Sequence, residues 1–150
     1  MANKSTLVYE TQESLYEHAV QKKEAGELIV QHAYKAENYL KAAQMFEEVG
    51  DYEDAPWQAE DCRRLAEQAR EDEKEKQYQL ALYQMGNAKT VKGYEKAQKL
   101  FEGIAGYKDS QERAQNCVFQ GKNLSKKRKI KRIVKLMVGV AIIAGAVAAF

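Results

Sequence analysis

Cysteine, proline and histidine are scarce in this chain: two, one and two residues in 150. Two cysteines exclude a disulfide framework and a four-cysteine zinc site. His18 and His32 stand 14 residues apart and form neither HExxH nor HxxxH spacing, which leaves no metal site in view. His32, beside Ile29 and Ala33, reads as a half-buried structural residue. One proline and nine glycines exclude collagen-like and Pro/Gly-rich chains. No segment keeps the period-two alternation of a strand. Gly103-Ile-Ala-Gly106 lacks the lysine and the preceding strand of a phosphate-cradling loop, and no serine sits in a nucleophile elbow. The expectation is therefore no enzyme, no metal and no cofactor.

Acidic residues are absent from the last quarter. All 22 lie at or before Glu112, whereas eight of the 24 basic residues fall between Lys122 and Lys135. Residues 1–121 carry a net charge of −6 and residues 122–150 a net charge of +8. Such asymmetry separates two regions with different surroundings.

The basic region leads into an uncharged run from Leu136 to Phe150. Extended back over Ile133 and Val134 it has 18 residues, about 27 Å of helix against a hydrocarbon core of about 30 Å. The sequence thus predicts a membrane helix over 133–150. It is apolar on every face, and Lys135 reaches back toward the headgroups. The flank Lys126, Lys127, Arg128, Lys129, Lys131, Arg132, with Lys135, predicts a cytoplasmic N-terminal side and contact with anionic lipid. Between Phe119 and Phe150 no aromatic interleaves with these cations, so nucleic acid is not the expected partner. Ala141, Gly145 and Ala149 make a small-residue stripe of the kind that lets two membrane helices pair. The run stops at Phe150: either the anchor ends in the interface or the chain continues in a longer protein.

Ahead of this tail, residues 39–62 and 94–117 align without a gap at an offset of 55, with nine of 24 positions identical. The shared positions include Tyr39/Tyr94, Ala42/Ala97, Phe46/Phe101, Tyr52/Tyr107, Asp54/Asp109 and Cys62/Cys117. Three aromatics, a cysteine and an acid in step indicate a duplication. Tyr39, Ala42, Ala43, Phe46 and Val49 follow helical spacing and form one apolar face; Tyr94, Ala97, Phe101 and Ile104 repeat it. Gly50 and Gly106 are expected to end these helices, and Asp54 and Asp109 to cap the next ones. Pro56 falls in a first helical turn, where its missing N–H costs little. Cys62 and Cys117 read as small residues packed in equivalent seams. Tyr52 and Tyr107 either line a peptide groove or staple the turn.

The predicted elements are helices over about 11–34, broken near Gly26, and about 37–49, 55–86 and 91–105. A last helix starts near Ser110 and runs toward the tail. The charged stretch from Arg70 to Lys76 is either an exposed helical middle or a hidden break.

Tyr-x-x-Ala-x-x-x-Phe, a Gly-Asp-Tyr-x-Asp-Ala turn and a helix ending in Ala-x-x-Cys resemble divergent tetratricopeptide-type repeats. Similar units occur in Gram-positive bacterial proteins, frequently beside a membrane segment. The resemblance covers about residues 11–121. Its period is 55 rather than 34, and the Trp-x-x-Leu-Gly signature is missing. It implies an all-α fold of two helical hairpins and protein–protein interaction without catalysis. The expected organisation is a short N-terminal segment (1–10), a repeat domain (11–121), a basic juxtamembrane segment (122–132) and a membrane helix (133–150). The expected partners are a protein or peptide, membrane lipid and, in a second reading, other copies of the chain.

Overall fold

A computed structural model describes the backbone of residues 11–147 and the side chains of residues 11–138. The described residues hold five helices and no strand: α1 (Gln12–Glu27), α2 (His32–Val49), α3 (Ala55–Gly86), α4 (Val91–Glu102) and α5 (Ser110–Val147). The chain divides into two compact units, Met1–Glu75 and Lys76–Phe150. α3 is a single unbroken helix that belongs to both. Its charged middle is thus a continuous helical stretch, exposed at Arg70, Asp72 and Lys76 and half-buried at Glu71, Glu73, Lys74 and Glu75, and not a break.

In the first unit α1 packs on α2, and α3 completes the core. Thr11 caps α1 by accepting a hydrogen bond from the Ser14 N–H at 3.2 Å. Ala19 of α1, Ala42, Ala43, Phe46 and Val49 of α2, and Ala55, Ala59 and Cys62 of α3 form one buried cluster. The alanines let the helix backbones approach, and Phe46 fills the space between them. A full burial of this size contributes roughly 1.5–3 kcal/mol. Further along α2 and α3, Ala36, Tyr39, Ala66 and Ala69 form a second cluster.

The second unit repeats this construction. Tyr78 and Ala81 of α3, Ala97 and Phe101 of α4, Ile104, and Ala114 and Cys117 of α5 form its core. Thr90 caps α4 by accepting from the Gly93 N–H at 3.0 Å.

Three boundaries differ from the sequence reading. The break expected near Gly26 falls at residues 28–31, so the region 11–34 holds all of α1 and the start of α2. The break carries no capping signal, because Gln31 makes no side-chain cap bond and the linker is Leu28-Ile29-Val30. α2 consequently begins at His32 and not near 37, and the His32 side chain is half-buried there. α4 ends at Glu102 with Gly103 as its C-cap, so Gly106 does not terminate it; Gly106, at φ +87°, lies in the following turn. Gly50 does end α2, at φ +75°.

α5 continues without interruption through the basic segment to Val147. Among the described residues no helix is long and apolar enough to cross a membrane. Most of the expected membrane span, residues 139–150, falls outside the described side chains. Ala141 and Gly145, described in backbone alone, lie in that part, and Ala149 lies outside the described residues.

Candidate functional site

Each unit is organised around one tyrosine that the 55-residue alignment does not contain. In the first unit the Tyr16 ring of α1 stands edge-on to Phe46 (centroids 5.6 Å apart) and to Tyr52 (5.8 Å). In the second the Tyr78 ring of α3 stands edge-on to Phe101 (5.9 Å) and Tyr107 (6.0 Å). Edge-to-face pairs at these distances add to the burial energy of the rings. Tyr52 and Tyr107 therefore stack on the first helix of their own repeat.

The same tyrosines reach the matched aspartates. Tyr16 donates to Asp54 Oδ1 at 2.5 Å, and Tyr78 donates to Asp109 Oδ1 at 2.6 Å. Each aspartate stands immediately before its helix, and its carbonyl accepts the first helical bond, from Gln58 N at 2.9 Å or Arg113 N at 3.0 Å. Their carboxylates also accept from the side chains of Gln58 and Arg113 respectively. The Tyr16 bond, aided by Gln58, holds the Asp54 carboxyl below the usual carboxylate range. Arg113, then Tyr78, does the same for Asp109. In return the Asp54 bond, with burial second, pushes the Tyr16 hydroxyl up to about 12. Glu53 (φ 50°) and Lys108 (φ 48°) occupy the left-handed region at equivalent turn positions.

The signal for these tyrosines is present in the sequence at a different offset. Tyr16-x-x-Ala19-Val20 and Tyr78-x-x-Ala81-Leu82 match at 62 residues. Ala19 and Ala81 are both fully buried. The extra seven residues are accounted for by helix length. α1 runs three residues further past Tyr16 than α3 does past Tyr78, and α2 starts four residues further ahead of its phenylalanine than α4 does. Each insertion is close to one helical turn, so the facing sides are preserved.

The other predicted seam residues are placed as follows. Tyr39, Ala42, Phe46, Cys62, Ala97, Phe101 and Cys117 are buried; Tyr52, Tyr94 and Tyr107 are half-buried. Burial pushes the Cys62 thiol up to about 11 and raises that of Cys117. Both cysteines are free. No cluster of metal-ligating side chains exists among the described residues.

Each unit carries a groove between its second and third helices. In the first, Ala33, Ala36 and Leu40 of α2 face Arg70 of α3 across about 400 Å³. In the second, Val91 and Glu95 of α4 face Gly121 and Ser125 of α5 across about 290 Å³. Positions 36/91, 40/95 and 70/125 are equivalent in the duplication. The grooves are thus one repeated feature with different linings, aliphatic and charged in one, more polar in the other.

Beyond Ser125 the character of α5 changes. Lys126, Lys127, Arg128, Lys129, Lys131, Arg132 and Lys135 are all exposed, as are Ile130, Ile133, Val134, Leu136, Met137 and Val138. No family model, curated protein or solved structure matches the chain.

Proposed function

We propose that this chain is a membrane-tethered adaptor, with a tetratricopeptide-like pair of repeats held at the cytoplasmic face by its C-terminal helix. The observation that carries the reading is the course of α5. It starts as a packed helix of the second repeat and continues unbroken into a stretch whose described residues, 126–138, are exposed on all sides. Successive helical residues are about 100° apart, so Lys126, Lys127, Arg128 and Lys129 surround the axis. A bilayer around a penetrating helix meets cations on every side; a protein or nucleic-acid partner would select one face.

Below that collar the sequence from Leu136 to Phe150 contains no charge. Exposed Leu136 and Met137 cost apolar hydration in water and none in lipid. The positive flank then puts the repeats on the cytoplasmic side.

The repeats supply the binding function. The grooves of the two units, of about 400 and 290 Å³, receive side chains of an extended or helical protein segment in this reading. The net charge of −6 over residues 1–121 favours a basic partner and keeps the repeats off anionic lipid.

High-speed sedimentation and crosslinking of the intact protein in native membranes test the reading together. Pelleting with membranes and crosslinking to foreign proteins is the expected result. Recovery in the supernatant overturns the tether. Efficient self-crosslinking without foreign partners replaces the adaptor with an assembly built through repeat ends and the Ala141, Gly145 and Ala149 face.

A further inference from the structure

A second feature of α5 lies at the top of the basic collar. Gln120, Asn123 and Lys127 follow i, i+3, i+7 spacing and so share one face of the helix. That face meets the loop between α3 and α4, and together they line a notch of about 190 Å³ with Ala88 and Lys89. Arg128 ties the loop to the helix by donating to the Lys89 carbonyl at 3.4 Å. The lining holds two lysines and two carboxamides and no carboxylate. A volume below the roughly 300 Å³ floor of ordinary ligand pockets suits a single small polar group and not a whole cofactor.

We propose that this notch is a phosphate-binding site, and that its occupant is the headgroup phosphate of an anionic phospholipid. Two ammonium groups and two amide donors match the charge and the several acceptor oxygens of a phosphate. Position supplies the source. Lys127 belongs to the collar, and the uncharged run begins at Leu136, nine residues or about 13 Å further along the helix. Ile133, where the apolar character starts, is about 9 Å away, near the outer edge of the headgroup layer. The notch thus adds a defined site to a collar that otherwise attracts anionic lipid only by charge. The choice of lipid as the source rests on the membrane-tether reading; the phosphate chemistry of the notch does not.

The test uses the full chain in nanodiscs of phosphatidylcholine with one quarter phosphatidylglycerol. Native mass spectrometry counts the phosphatidylglycerol retained per chain. Lys89→Gln is expected to lower retention about fivefold, as the loss of one direct hydrogen-bonded contact to the phosphate. Lys89→Arg is expected to restore it, and Lys129→Gln, which removes the same charge from the collar outside the notch, to change it less than twofold. Equal losses for Lys89→Gln and Lys129→Gln overturn the site and leave the tether standing. A chain that does not enter the discs overturns the tether and with it the lipid source. In that event titration of the chain with inorganic phosphate decides the notch: a shift of the Asn123 side-chain amide resonance at millimolar phosphate supports a free-phosphate site, and no shift overturns it.

Discussion

The Tyr16 hydroxyl donates to the Asp54 carboxylate at 2.5 Å, joining the first helix to the start of the third across 38 positions of sequence. The Tyr78–Asp109 bond repeats the connection in the second unit. In each case one side chain serves the edge-on aromatic pair and the helix start together. The bond therefore couples two packing events that the repeat would otherwise make separately.

That coupling has an alkaline signature. The Tyr16 hydroxyl titrates at about 12 in the folded chain, against 10.0 for an unperturbed tyrosine. The folded state holds this proton more tightly, so the contribution is complete below pH 10 and is lost as pH rises through about 12. Denaturant unfolding at pH 9 and 11 is expected to show a lower midpoint at pH 11. Tyr16→Phe should shrink that difference, and an undiminished difference would refute the coupling. The aspartates act in the opposite direction. Their folded pKa values are lowered, so their contribution is present above the ordinary value of 3.8 and disappears as pH falls through the folded value.

Phe46 and Phe101 are each fully buried beneath their tyrosine. Phe46→Ala and Phe101→Ala are expected to cost about 3–5 kcal/mol each, by lost transfer energy and the cavity left behind. Hydrogen exchange should localise each loss to its own unit. A loss of protection confined to the other unit would contradict the assignment of the two cores.

Two glycines separate helix propensity from packing. Gly26 lies against Tyr39, and a Cβ there would stand 2.9 Å from Tyr39 Cε1 and 3.2 Å from Asn38 Nδ2. Gly26→Ala should therefore destabilise by about 1–3 kcal/mol despite the better helix propensity of alanine. At Gly86 a Cβ meets nothing within 4 Å. Gly86→Ala should be neutral or stabilise by up to about 1 kcal/mol. Thermal unfolding of both variants checks the contrast.

The cysteines are expected to be inert in the folded chain. Cys62 is fully buried, with its thiol pushed up to about 11, and Cys117 is nearly as inaccessible. Alkylation at pH 8 should label neither until denaturant is added, because the thiolate is the reactive form. Rapid labelling of Cys62 in native conditions would mean that the α1–α2–α3 core opens readily.

Helical periodicity, the duplication and the charge switch after Glu112 are properties of spacing, and the sequence alone was sufficient for them. The all-α fold, the buried faces centred on Phe46 and Phe101, and the 55–86 bounds of α3 follow from residues three and four apart. The break near Gly26 was legible, but its placement at 28–31 was not, because Leu28, Ile29 and Val30 carry no breaker or cap. It exists only where α1 and α2 fold back on each other. Tyr16 and Tyr78 escaped an ungapped alignment, since a helix can gain one turn without changing the face it presents. Which tyrosine meets which aspartate, and that α5 leaves the packed repeat with cations on every side, are facts of distance and exposure. They arise when helices separated in sequence are brought together, and no linear pattern records them.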